Sequence, residues 1–216
     1  EDVYQRTLDI MVPFLAQIRE ETGVTLSDLN LGGGYGVRYT AEDEAINIPA
    51  RLAELAAYLK EETERLGLPM PRFLMEPGRS IVADAGMTLY TVGSVKRIPG
   101  YKQYAAVDGG MTDNPRYALY QSRYTVYHAH KSGSLERFDV VGRCCESGDI
   151  IQPDVELPGD TCRGDILAVC TTGAYNYSMA SNYNRLPRPA VVMLTPDRIY
   201  EAVRRETFAD LTALDL

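Results

Sequence analysis

Over residues 3–84, helix-forming and strand-forming stretches alternate, and each short strand stops on a turn rich in glycine or proline. Leu8, Met11, Leu15 and Ile18 recur at helical spacing over 3–20, and Gly23 supplies a stop. Leu29-Asn30-Leu31 reads as a strand running into Gly32-Gly33-Gly34. A second amphipathic helix is expected over 48–66, with Leu52, Leu55, Leu59 and Leu66 on its apolar side, and Phe73-Leu74-Met75 reads as a strand ending at Glu76. Short buried strands alternating with helices predict parallel α/β units. A closed barrel needs eight such units, and only two or so are legible. This part is therefore an open sheet or a piece of a longer protein.

The texture changes after residue 86. Strands are expected over 88–98, 104–107, 166–170 and 190–194, where β-branched and apolar residues concentrate. Thr195-Pro196-Asp197 predicts a closing helix around 199–205, with Thr195 as cap and Pro196 in the first turn. The expected organisation is α/β plus β: a partial β/α barrel over 1–85, a β-domain over 86–194, and a closing helix over 195–216 that packs back on the barrel part.

Composition narrows the functional classes. The chain has 216 residues, is 45% hydrophobic and carries a formal net charge of -8. That supports a sizeable core and speaks against nucleic-acid or anionic-membrane partners, since no local basic patch offsets the charge. No run is apolar enough to span a bilayer, and Glu1-Asp2-Val3-Tyr4 lacks the basic, then apolar, opening of a leader. Cys144, Cys145, Cys162 and Cys170 show no metal-ligand spacing and no disulfide framework. They read as reduced thiols of a cytoplasmic protein, with Cys162 and Cys170 serving core packing.

Several turns carry groups suited to chemistry. In Gly32-Gly33-Gly34-Tyr35-Gly36, backbone N–H groups can converge on an anion such as phosphate; a flexible turn explains the glycines equally well. Glu76-Pro77-Gly78-Arg79 follows a strand, and Arg79 can fork onto a carboxylate or phosphate; a surface Glu–Arg pair is the plainer alternative. Arg116 and Tyr120, four apart, share a face if they lie on a helical turn. Cys145-Glu146-Ser147-Gly148-Asp149 places a thiol among acids with no large apolar residue. Nearby negative charge keeps a proton on a thiol, which suits a proton donor better than a nucleophile. Tyr175, in Gly173-Ala174-Tyr175, can stack or donate a hydrogen bond, although a core or interface role is the plainer expectation for most of the 15 tyrosines.

In this order the motifs, together with Asp108-Gly109-Gly110-Met111 and Asn114-Pro115-Arg116, resemble the carboxy-terminal part of the diaminopimelate decarboxylase family. That family belongs to the alanine-racemase-like pyridoxal-phosphate decarboxylases. The resemblance spans nearly the whole chain, and Cys-Glu-Ser-Gly-Asp is its most discriminating motif; related ornithine and arginine decarboxylases commonly have Asp after the Cys. The resemblance implies the last units of a (β/α)8 barrel, a β-domain and a returning helix.

It also implies pyridoxal 5'-phosphate as cofactor, decarboxylation of meso-2,6-diaminopimelate to L-lysine, and a homodimer with shared active sites. Gly32, Gly33, Gly34, Glu76, Pro77, Gly78 and Arg79 then hold the cofactor, with Glu76 on the side of the pyridine nitrogen. Arg79, Arg116 and Tyr120 bind the distal carboxylate of the substrate, and Glu146 binds its distal ammonium. Cys145 is the proton donor, reaching into the partner's site, and Tyr175 contacts cofactor and substrate. The family's Schiff-base lysine lies in the early barrel, and Lys60, Lys96, Lys102 and Lys131 do not match it. The chain is thus expected to be a fragment, inactive alone. The alternatives are a decarboxylase of another basic amino acid in the same fold class, and a non-catalytic β-domain module.

Overall fold

The computed structural model describes residues 3–216, so the Glu1-Asp2 opening lies outside the described residues. The chain divides into two compact units: Glu1–Val37 with Glu44–Ile81, and Arg38–Asp43 with Val82–Leu216.

The first unit contains α1 (Val3–Thr22), β1 (Asp28–Asn30), α2 (Ile48–Arg65) and β2 (Arg72–Leu74), followed by the start of α3 (Gly78–Val82). The helical spacing is realised in α1, which buries Leu8, Val12 and Leu15. Gly23 ends the helix with φ +74°, and its N–H donates to the Arg19 carbonyl at 2.9 Å. Asn47 caps α2, its side chain accepting from the Ala50 N–H at 3.1 Å, and Pro49 sits in the first turn where no N–H is needed. β1 and β2 pair in parallel, Leu29 opposite Phe73. Leu29 joins Leu8, Val12, Leu15, Leu55 and Leu59 in the core.

The second unit is built on a mixed sheet of six strands in the order β5-β8-β3-β4-β6-β7. Its long strand is β3 (Met87–Ile98). The first half of β3 pairs with β8 (Ile166–Cys170) and the second with β4 (Lys102–Val107), across a bulge between Val92 and Ser94. The pairing of β4 with β6 (Leu135–Val141) is parallel; the other pairings in this sheet are antiparallel. Period-two alternation sends Leu167 and Val169 of β8 into a core with Phe138, Val140, Ile151 and Leu157.

Three strands exceed the sequence expectation: β5 (Val126–His128), β6 and β7 (Ile150–Pro158). β7 contains Pro153, which cannot donate to a ladder. The residue is tolerated because β7 is an edge strand and its register with β6 shifts there, Val140 opposing Gln152 and Phe138 opposing Val155.

Two expectations are corrected. The segment expected as a closing helix over 199–205 is instead a strand, β10 (Ile199–Val203), antiparallel to β9 (Val191–Leu194). Thr195-Pro196-Asp197-Arg198 forms the reversal between them, with the Thr195 N–H donating to the Arg198 carbonyl at 3.0 Å. Pro after a short polar residue suits a tight turn as well as a helix start, and β-strand pairing of Ile199, Tyr200 and Val203 decides between them. The helix that does form is α5 (Phe208–Thr212), closed by a Thr207–Asp210 capping box. Cys162 is exposed rather than core, and Lys131 Nζ lies 3.4 Å from its sulfur, while Cys170 is partly buried. All four cysteines are free thiols.

Beyond β8, a carboxylate ties the chain together. Glu206 accepts from Arg188 Nε, Arg188 Nη2 and the Arg188 N–H at 2.8, 2.6 and 2.8 Å, and from Asn182 Nδ2 at 2.6 Å. These donors, the Arg188 guanidinium foremost, draw its carboxyl down to about 2. A carboxyl depressed on folding stabilises above its unfolded range and loses that contribution as pH falls through the folded value. The segment Asn182–Glu206 is therefore expected to lose stability from about pH 4.5 down to about pH 2. Glu206→Gln should flatten that part of the acid-unfolding curve, read by circular dichroism between those two pH values.

Candidate active site

In the first unit, the parallel pairing of β1 and β2 brings two glycine-bearing turns side by side at the carboxyl ends of the strands. The Glu76 N–H donates to the Gly32 carbonyl at 2.8 Å, and the Glu76 carbonyl accepts from the Gly78 N–H at 2.8 Å. A Cβ added at Gly33 would come within 2.1 Å of the Glu76 carbonyl oxygen, so only glycine permits this approach. Tyr4 holds the loop from below, its hydroxyl donating to the Gly33 carbonyl at 2.7 Å and its ring stacking on Tyr35 at 4.9 Å.

Asn30 links the two turns. It accepts from the Gly32 N–H at 2.8 Å and donates to Glu76 Oε1 at 2.7 Å. Pro77 and Gly78 lead into α3, where Arg79 is partly buried. Among the described residues, none accepts a hydrogen bond from the N–H of Gly33 or Gly34, and Gly34 is exposed. Open glycine N–H groups beside a strand end, with a guanidinium one turn away, fit an anion of phosphate type. The structure thus brings together Gly32, Gly33, Gly34, Glu76, Pro77, Gly78 and Arg79 in one unit.

In the second unit, Asn114-Pro115 opens α4 (Arg116–Tyr120), so the expected helical turn is present. The Arg116 guanidinium lies 5.2 Å from the centre of the Tyr120 ring, as spacing of four on a helix allows. Arg116 is only 4% exposed. Its Nη2 lies 3.4 Å from Ser122 Oγ, and its Nε is buried without a hydrogen-bond partner among the described residues, as are both amide atoms of Asn114. Buried donors of this kind normally find an acceptor, so Arg116 and Asn114 have capacity for a further polar group. Beside it stands Tyr124, whose phenol burial pushes up while the neighbouring Arg116 and Asn176 pull it back. Asn176 directly follows Tyr175, which is exposed.

The Cys145–Glu146 pair occupies an exposed loop between β6 and β7. Two residues that sequence reasoning passed over hold it: the Cys145 N–H donates to Asn184 Oδ1 at 2.8 Å, and the Tyr183 hydroxyl donates to Glu146 Oε2 at 3.3 Å. Asn184 adopts φ +54°, a conformation that Asn tolerates better than most residues. The acid of the motif acts on Cys144. Burial, then the Asp149 charge, push the Cys144 thiol above its ordinary range. Asp149 itself is 5% exposed. Within the second unit, Arg116, Tyr120, Cys145 and Glu146 stand on segments tied by hydrogen bonds, since the Arg143 N–H donates to the Gly109 carbonyl at 3.1 Å and the Ser181 N–H to the Thr112 carbonyl at 2.8 Å.

The sheet unit and its motifs place the chain in a class. Residues 3–173 match the family described as pyridoxal-dependent decarboxylase, C-terminal sheet domain, and the chain belongs to that family. Within it, the chain is similar to the diaminopimelate decarboxylases. It is 50% identical over 190 residues to that of Bacillus subtilis (strain 168), a match covering 87% of this chain and 43% of the relative. It is 44% identical over 195 residues to that of Synechocystis, covering 89% of this chain and 41% of the relative. The crystal structure of diaminopimelate decarboxylase from M. jannaschii in co-complex with L-lysine superposes with a TM-score of 0.85 at 33% identity, over 97% of this chain and 47% of that one. The lysine/ornithine decarboxylase from Vibrio vulnificus complexed with cadaverine gives 0.70 at 26% identity, over 84% of this chain and 48% of that one. The chain spans about half the length of the relatives that it matches.

Gly33→Ala is expected to force the two turns apart. Absorbance titration of the whole protein with pyridoxal phosphate should show affinity lower by about tenfold or more, equivalent to about 1.4 kcal/mol.

Proposed function

We propose that the whole protein is a pyridoxal-phosphate-dependent carboxy-lyase that converts meso-2,6-diaminopimelate to L-lysine, and that this chain supplies much of its substrate recognition. In this reading residues 1–85 are late units of a (β/α)8 barrel, residues 86–194 are the β-domain, and the protein works as a cytoplasmic homodimer. The observation that carries the proposal is the presence, in one unit, of a buried guanidinium beside an aromatic ring and of a loop presenting a thiol and a carboxylate. A substrate with a distal carboxylate and a distal ammonium needs both charges answered.

The chain's own residues divide the work. The open N–H groups of Gly33 and Gly34, with the Glu76–Arg79 turn packed beside them, would hold the phosphate through the backbone. Glu76, steadied by Asn30, holds a proton on the cofactor's ring nitrogen. The cofactor, when bound, supplies the electron sink for the charge left by departing CO2. Arg79, Arg116 and Tyr120 take the distal carboxylate, and Glu146 takes the distal ammonium. Cys145 delivers the proton from its sulfur to the carbon that has lost CO2, acting in the partner's site, and Tyr175 contacts both cofactor and substrate. The higher structural similarity to diaminopimelate decarboxylase than to lysine/ornithine decarboxylase supports this substrate over other basic amino acids.

The test is turnover of the whole protein with meso-diaminopimelate, ornithine, lysine and arginine, followed by CO2 release. Diaminopimelate should be preferred by a wide margin; preference for another amino acid, or no release at all, removes the reading. Arg116→Ala should raise KM for diaminopimelate by about 30-fold or more, since leaving a buried charge unpaired costs about 2–5 kcal/mol. An unchanged KM would take Arg116 out of the substrate site.

A further inference from the structure

Asp149 closes the Cys145-Glu146-Ser147-Gly148-Asp149 motif, yet it reaches away from the exposed loop into the interior. A buried carboxylate must have its oxygens satisfied. Here each oxygen takes one backbone donor: Oδ1 accepts from the Met111 N–H at 2.6 Å, and Oδ2 from the Cys144 N–H at 2.6 Å. These are charge-assisted bonds to two different segments. One segment begins the turn into α4, where the Asn114 N–H donates to the Gly110 carbonyl at 2.9 Å just before Arg116. The other is the loop that carries Cys145 and Glu146.

The surroundings are shaped to admit this carboxylate. A Cβ at Gly110 would lie 2.7 Å from the Asp149 oxygens, and one at Gly142 would lie 2.3 Å from the nearer oxygen. The loop also closes on itself, the Asp149 N–H donating to the Glu146 carbonyl at 3.1 Å and the Gly142 N–H to the Asp149 carbonyl at 2.9 Å. Cys145 and Glu146 are exposed, so this internal anchor, with Tyr183 and Asn184, restricts where they stand.

We propose that Asp149 is a positioning residue that fixes the loop carrying Cys145 and Glu146 by tying it to the Met111 segment. The kinetic part of this inference rests on the diaminopimelate reading; the geometric part does not. Asn at position 149 keeps the volume but turns one acceptor into a donor facing an N–H, so one of the two links must break.

The test uses the whole protein and its variants D149N, G142A, E146Q and E146Q/D149N. D149N should lower kcat/KM for diaminopimelate by about tenfold or more with the cofactor's absorbance unchanged. In the E146Q background, the further loss should be smaller than in the parent, because part of the effect of Asp149 is relayed through Glu146. Undiminished kcat/KM in D149N, or losses that multiply in full, would overturn the proposal. Amide hydrogen exchange provides the arm that needs no substrate. Met111 and Cys144 should be protected in the parent and exchange at least about tenfold faster in D149N, with β3 and β4 amides unchanged. Unprotected amides in the parent, or protection that survives D149N, overturn it even if diaminopimelate proves to be the wrong substrate. Should D149N fail to fold, G142A, which crowds the carboxylate without removing its charge, is read by the same two measurements.

Discussion

Backbone approaching backbone, through positions that cannot carry a Cβ, is the constraint on which the motifs of this chain depend. The Gly32–Gly34 turn meets the Glu76 turn only because Gly33 leaves room for the Glu76 carbonyl. At the start of β3, Gly86 and Gly173 lie against one another, and a Cβ at Gly173 would come 1.9 Å from the Val82 carbonyl oxygen. Gly109 leaves space for the Tyr90 ring. Each close approach aligns a polar turn with a strand end, and each turn carries groups capable of chemistry. Conformational freedom is secondary to this steric role at most of these positions.

The second recurrent device is the carboxylate that gathers several donors. Burial works against the Asp165 charge, but Lys131, the Cys162 N–H and His128 outweigh it and hold the carboxyl well below its ordinary range. Asp113 goes the other way: burial raises its carboxyl despite the Tyr90 hydroxyl and the Gly110 N–H, which pull it down. The contrast follows from the number and charge of the donors each acid collects. Asp165 has a lysine ammonium among its partners, while the Asp113 hydrogen-bond partners are neutral.

Much of the architecture was legible where one physical signal stood alone. The apolar spacing of α1 and α2, and the short apolar run of β8, led to the elements observed. Strands β6 and β7 escape because register shifts and Pro153 break their alternation, and β5, three residues long, is too short to show a period. Thr-Pro before β10 suits a helix start and a tight turn alike until a partner strand is present. Residue types suited to phosphate, carboxylate and ammonium could be chosen from the motifs themselves. The residues that hold them could not: Asn30 lies 46 positions from Glu76, and Asn184 lies 39 from Cys145, with no local pattern joining either pair.

The sequence by itself determined which turns are glycine-bound, which helices are amphipathic, and which family the ordered motifs belong to, because these follow from local sterics and from side-chain identity. Only the tertiary structure decided which oxygen answers which N–H. It turned the acid of the Cys145 motif inward to the backbone of Cys144 and Met111. It buried Arg116 and made 199–203 a strand. The Asp149–Met111 link joins residues 38 apart in the chain, and such contacts exist only once the core has closed.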